Sequence, residues 1–326
     1  MVGPGVVIGG RWWALVGGWL SVVGPGGAIG SWQRPPLPLD TMGKKSRRHA
    51  TPEHAKPKRR EVPFVERPFE GLPAETDLVA MREILPSASA ELDIDGTPVL
   101  FVTLLPDQLP ALRREDGTVV VAFQTRMRSG DASRDIAHAY TKALELEPGR
   151  PLYLSELPEP GTRLQDLIPA GEPLTVTVHQ GFEYWVDPAT ARTAELDEAL
   201  DAAAGNAVPM EAVPGVTSAY WTRMGREFLR WIRPEPEYDL LDALARLQSK
   251  RQTDLEDGAR LIGAFRTCGV LVPVWELNPG TEADELTGPC RAFEERHEEA
   301  LAVDGPLDAD ERRARAGLIA RQVSLR

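Results

Sequence analysis

Apolar residues change their period several times along the chain, and each change predicts an element. Ala88, Ala90, Leu92 and Ile94 alternate with polar neighbours, Asp95-Gly96 supplies a hairpin turn, and 99–105 is a continuous apolar run of the kind found in a central strand. Asp107 is placed to cap a short helical turn reaching Leu112, and Asp116-Gly117 restarts the chain into Val119-Val120-Val121-Ala122-Phe123, a further strand. Gly130-Asp131 opens a helix on which Ile136, Ala139, Tyr140, Ala143 and Leu144 share one face, until Glu147-Pro148-Gly149 ends it. Upstream, 74–85 reads as a short helix closed by Pro86.

Downstream, the pattern predicts a strand pair at 174–178 and 182–186 turning at Gln180-Gly181, an Ala/Leu helix over 193–204 stopped by Gly205, and a linker over 207–215 with two prolines. Beyond Ser218 the periodicity turns helical. Trp221, Met224, Phe228, Trp231 and Ile232 fall on one face of a helix over 218–232, and further helices are expected at 238–247 and 255–265. Residues 270–275 form a buried extended segment whose Pro273 argues for a sheet edge or a packed loop. Leu286, Cys290, Phe293 and Leu301 mark one more helix, and Asp308 with Glu311 opens the last in a capping box.

These elements predict an α+β fold: a small, mostly antiparallel sheet with helices over 74–205, then a helix-rich region over 216–326. Ahead of them, 42–73 is polar, basic and punctuated by Pro52, Pro57, Pro63, Pro68 and Pro73, without apolar periodicity, which predicts a disordered arm.

Composition sharpens this division. The 326 residues carry net −12, but the charge is unevenly spread. Lys44, Lys45, Arg47, Arg48, Lys56, Lys58, Arg59 and Arg60 against Glu53 give 42–60 net +7, 1–41 carry net +1, and 61–326 therefore carry net −20. Those eight cations form a candidate anion-binding segment, with RNA or another anionic macromolecule as the expected partner, because clustered Lys and Arg release condensed counterions on contact with phosphates. A solubilising tail is the competing explanation. With 26% charged residues, a polytopic membrane protein is excluded, and the two cysteines cannot build a disulfide framework, so a reducing cytoplasm is the expected location. No membrane association is expected.

The first 41 residues contain four of the eight Trp and ten of the 29 Gly. Their apolar stretch is too interrupted by glycine and Pro25 for an anchor, and no cleavage site follows it. Gly24, Gly26 and Gly30 do not lead into a helix, so they do not read as a dinucleotide-binding turn. With 31 Arg against six Lys, the coding sequence reads as GC-rich, and 1–41 have the composition of translated upstream sequence; initiation at Met42 is the expectation.

The basic start at Met42, Arg67-Pro68-Phe69-Glu70-Gly71-Leu72-Pro73, the segment 176–185, Leu271-Val272-Pro273-Val274-Trp275-Glu276 and the closing Asp310-Glu311-Arg312-Arg313-Ala314-Arg315-Ala316-Gly317-Leu318 together resemble an uncharacterised actinobacterial family, a domain of unknown function, over about residues 43–326. The resemblance implies no activity, cofactor or catalytic residue. No Gly-rich Lys-Ser/Thr loop or other nucleotide-binding fingerprint is present, and no cofactor or metal is expected.

Among individual residues, His179 is the best acid–base candidate, ending a strand beside a turn with Glu183 and Tyr184 in reach, and it carries the alternative function, an enzyme of unknown class with its site there. A packed, hydrogen-bonded histidine fits the same pattern. His138 is expected on the solvated face of its helix, opposite Ile136 and Tyr140. His297 lies among Glu294, Glu295, Glu298 and Glu299, a solvated acidic face on which Glu294 and Glu298 could hold one divalent ion. Cys290 and Cys268, the latter at a helix end, read as small buried residues. Arg223, Arg226, Arg230 and Arg233 form a helical stripe, expected to pair with carboxylates such as Glu227, Glu235 and Glu237.

Mass spectrometry of the native protein is expected to recover no N-terminal peptide that begins before Met42. A peptide spanning Thr41 and Met42 would contradict that start.

Overall fold

A computed structural model describes residues 60–169, 171 and 173–324. Residues 1–41 and the cations Lys44, Lys45, Arg47, Arg48, Lys56, Lys58 and Arg59 lie outside the described residues, whereas Arg60 is described and exposed. Among the described residues, seven helices and two small sheets make the fold α+β, as the periodicity predicts, and Glu61–Arg326 form one compact unit.

In chain order the first half comprises α1 (Glu75–Glu83), β1 (Ala88–Ile94), β2 (Thr97–Val102), β3 (Ala111–Arg113), β4 (Val119–Ala122), α2 (Ala132–Leu144), α3 (Leu164–Leu167), β5 (Thr177–Val178) and α4 (Ala194–Gly205). Asp95 and Gly96 link β1 to β2 with φ of 52° and 81°, the positive values that a two-residue hairpin turn needs. The sheet runs β3-β4-β2-β1-β5, antiparallel except for β2 beside β4. Helix α2 packs on β3 and β4, and Asp131 caps it by accepting from the Ser133 and Arg134 amides.

The expected arm is packed from Val65 onward. Phe69 is 0% exposed, with its ring centroid 5.7 Å from that of Phe123, and Phe123 in turn meets Phe101 at 5.3 Å. The Val65 amide donates to the Gly130 carbonyl, and the Pro68 carbonyl accepts from Arg163 and Gln165. Burying one phenylalanine contributes about 1.5–3 kcal/mol, which outweighs the absence of periodicity around it.

The second half comprises β6 (Met210–Ala212), β7 (Ala219–Arg223), β8 (Glu227–Trp231), α5 (Glu237–Ser249), β9 (Arg260–Thr267), β10 (Val270–Glu276), α6 (Thr287–Leu301), α7 (Ala309–Ala320) and β11 (Gln322–Ser324). The sheet order is β11-β9-β10-β8-β7-β6, with only β11 parallel to its neighbour. Helices α6 and α7 pack on α5. Trp221, Trp231, Trp275 and Phe293 centre the core between sheet and helices, and each indole N–H donates to a backbone carbonyl, of Thr281, Thr217 and Thr253 respectively.

Several expected elements take another form. Residues 218–232 are a hairpin, not a helix, turning through Met224, Gly225 (φ 74°) and Arg226. Trp221 and Leu229 face the helices, but Tyr220, Thr222, Phe228 and Arg230 on the other face are buried too. Burial on both faces removes the polar alternation that marks a strand, and the remaining spacing mimics a helix. For the same reason the helix expected over 255–265 is largely β9, of which Leu261, Gly263, Ala264 and Phe265 are buried. Residues 182–186 form a single 3-10 turn over Glu183–Trp185, and β5 pairs with β1 instead. The expected linker contains β6, and Ala111–Arg113 is an edge strand where a helical turn was expected.

Pro273 sits in a central strand. The ladder from β10 to β8 covers Val274–Glu276, lapses at Val272 and Pro273, and resumes in one bridge between Leu271 and Arg233. The Leu271 carbonyl accepts from Arg233 on the β8 side, so Pro273, two residues on, turns its nitrogen to the same side, where the ladder lapses.

A small polar network joins α1 to the second sheet. Asp77 accepts through Oδ1 from the Ser218 hydroxyl and, at 2.7 Å, from the Tyr220 hydroxyl, while Ser218 also meets Thr76 at 2.6 Å. Burial and the Asp77 charge push the Tyr220 phenol well above its ordinary pKa. Asp77→Ala leaves both hydroxyls without this acceptor and is expected to lower stability by about 1–3 kcal/mol in chemical denaturation, with Asp77→Asn retaining more than half. Equal stability of Asp77→Ala and the parent would contradict the network's role.

Candidate functional site

Four places carry chemistry. The first is the turn at His179. Its amide donates to the Ser87 carbonyl, continuing the β5–β1 pairing, and its Nε2 lies 2.7 Å from Ser89 Oγ on β1. The ring rests 5.6 Å from that of Tyr184, whose hydroxyl bonds Thr103. Glu183 is exposed. Burial lowers the His179 pKa, an effect partly opposed by the Glu183 charge, so the imidazole is neutral at pH 7 and can accept from Ser89. The turn brings together the three expected residues and adds Ser89. It holds His179 half-buried and hydrogen-bonded, however, and outside two clefts of the described residues, one lined from 107–158 and one from 71–175.

The second place is the arginine series. On a hairpin it is not a stripe. Arg223 pairs with Glu227 at 3.0 Å and Glu282 at 2.5 Å, with its guanidinium 4.9 Å from the Trp221 ring; Arg226 pairs with Glu276. Arg230 is buried on the far face with Met224 Sδ at 3.3 Å, and desolvation lowers its pKa to about 10. Arg233 is buried over the Trp231 ring and hydrogen-bonds both Glu235, with a contact of 3.1 Å, and Glu294, at 2.5 and 2.9 Å. Burial alone would weaken the Arg233 charge, but hydrogen bonds to Glu294 and Glu235 outweigh it and raise the pKa. The expected pairs with Glu227 and Glu235 form; Glu237 instead meets Arg266.

His297 completes this node and corrects the expectation of a solvated acidic face. It is 0% exposed, stacks on Phe293 with ring centroids 5.8 Å apart, and turns Nδ1 to Arg233 at 3.3 Å. Glu294 faces the same node, while Glu298, its expected metal-binding partner, is exposed. Glu235, Glu294 and His297 place one ligand atom each within 4.8 Å of one another, a set that could hold a cation. The Arg233 guanidinium already bonds both carboxylates and supplies that positive charge. Cys290 is buried, and Cys268 is half-buried in the β9–β10 turn rather than at a helix end. Burial pushes both thiols up to about 12, which removes thiolate reactivity at pH 7.

The third place was not apparent in the sequence. Helix α2 and the segments 106–110, 125–127 and 151–158 enclose a cleft of about 350 Å³. Ala122, Ile136, Ala139 and Leu152 make its apolar floor, while Asp135 and His138 stand half-buried on the α2 wall. His138 therefore lies in a cleft wall and not on a fully solvated face. The i, i+3 spacing of Asp135 and His138 was the available signal, but only the fold brings the exposed Asp107, Arg126 and Glu156 to the same rim. The fourth place is the basic segment, of which only the exposed Arg60 is described.

The His297 node yields a pH prediction. Desolvation and the Arg233 charge lower its pKa from 6.5 in the unfolded chain to about 4 in the folded one. The unfolded chain then binds the extra proton between these values, so this contribution is complete above pH 6.5 and is lost as pH falls toward 4. It amounts to roughly 3 kcal/mol. Urea titrations across that range should show His297→Phe losing less stability than the parent by about this amount; parallel losses would contradict the assignment.

Among the described residues, no helix is long and apolar enough to cross a membrane. No curated protein and no solved structure matches the chain. A family model described as a family of unknown function, DUF5926, matches residues 68–326, which cover both sheets and the seven helices of the described residues, and the chain belongs to that family.

Proposed function

We propose that this protein is a non-enzymatic, cytoplasmic binding protein whose basic segment, Lys44, Lys45, Arg47, Arg48, Lys56, Lys58, Arg59 and Arg60, engages RNA. The carrying observation is the charge distribution: net +7 over 42–60 beside net −20 over 61–326. Within 61–326, Arg67, Arg163, Arg223, Arg226, Arg233 and Arg266 are tied to carboxylates, so these guanidiniums are engaged before any polyanion arrives. The segment holds no aromatic residue and no apolar run, which favours phosphate contacts over insertion into a lipid surface. Basic, arginine-containing polar segments are among the chain types that bind RNA by ordering on it. The two free thiols fit a reducing compartment.

The other reading, an enzyme at the His179 turn, has the Ser89–His179 hydrogen bond in its favour. His179 lines neither of the clefts described above, which weighs against it.

Five to eight phosphate contacts imply that affinity for single-stranded RNA falls roughly 100- to 2,000-fold between 50 and 200 mM salt. Fluorescence anisotropy with the full chain tests this. Replacing the eight cations by alanine is expected to abolish both the binding and its salt slope; undiminished affinity in that variant, or no affinity at low salt in the parent, would overturn the proposal.

A further inference from the structure

We infer that the cleft bounded by α2 and the segments 106–110 and 151–158 binds a small organic cation, a protonated amine carried on an apolar body. The inference is independent of the basic segment. The cleft, at about 350 Å³, has the size of a small-molecule site and the usual division into an apolar floor and a few polar groups.

Charge selects the ligand class. Asp107, Asp135 and Glu156 reach the cleft from three different segments, against a single permanent cation, Arg126. The Arg126 guanidinium is turned to Gln108, donating from Nε to Oε1 at 3.1 Å. An anionic ligand would face three carboxylates, whereas an ammonium group would be attracted by all of them.

Asp135 gives the head group its place. Its Oδ2 accepts the Ser129 amide at 3.0 Å, which holds the carboxylate in place on the cleft wall. Half-buried beside the apolar floor, this carboxylate offers an ammonium group a charge-assisted contact with less competition from water than an open-surface carboxylate would. Burial also holds the Asp135 carboxyl above its ordinary pKa, with the Arg82 charge acting in the opposite direction. At the mouth, Asp107 and Gln108 both have φ of 56°, a backbone conformation that neither adopts without cost and that fixes this edge of the cleft.

Amide NMR titrations of the full chain with phenylbutylamine, phenylbutanol and phenylbutyrate test the inference. These ligands share an apolar body and differ in charge. The amine is expected to bind at least about tenfold more tightly than the alcohol, and the acid not at all, with shifts confined to 106–110, 125–127, 135–139 and 151–158. Asp135→Asn is expected to weaken the amine at least about fivefold while leaving the alcohol unchanged. If that variant does not fold, Ala139→Leu, which fills the floor, is expected to weaken all binding by about tenfold or more. Equal affinity for amine and acid, shifts elsewhere, no shift at millimolar amine, or a variant that folds and binds as the parent does would overturn it.

Discussion

A buried cation must be answered by anions, and the Arg233 node shows how much of the second half depends on that rule. Arg233 follows β8, lies over Trp231 and bonds Glu235 just before α5 and Glu294 on α6, with His297 stacked beneath it on Phe293. One guanidinium thus ties the end of a strand to two helices at the edge of the tryptophan core. Losing either carboxylate would leave charge stranded beside the Trp231, Trp275 and Phe293 rings, which is more costly than losing an exposed pair. The node uses Glu235, Glu294 and His297 as partners for an arginine, which gives the cluster a structural role.

The same rule governs much of the arginine content of this acidic body. Arg223 and Arg226 flank a hairpin turn and are answered by Glu282 and Glu276, and Arg266 by Glu237. Exposed pairs of this kind add little stability, but they neutralise the guanidiniums they hold. The contrast with 42–60, where eight cations meet one carboxylate, gives the functional reading its direction.

Legibility in the sequence followed burial. Elements with one wet face, such as β1, α2 and α5, kept their alternation or helical period and were readable almost to the residue. Elements buried on both faces lost it: β7 and β8 looked helical because Trp221, Phe228 and Trp231 recur at helical spacing, as Leu261, Ala264 and Phe265 do on β9, and the β-forming Tyr220, Trp221 and Thr222 with Gly225 behind them were the outvoted signal. Site residues obeyed the same logic. His179 with Glu183 and Tyr184 was local in sequence and recoverable, whereas Ser89, the Arg233–His297 contact and the cleft rim join positions dozens of residues apart, which no local pattern encodes.

The account divides the protein into a cationic segment that contacts a polyanion and a body whose arginines serve the fold. Photo-crosslinking of the full chain to thiouridine-substituted RNA, with the attached peptides mapped by mass spectrometry, tests that division most directly. The account predicts nucleotide adducts on peptides from 42–60. Adducts on the hairpin carrying Arg223, Arg226 and Arg230, with none on 42–60, would contradict it.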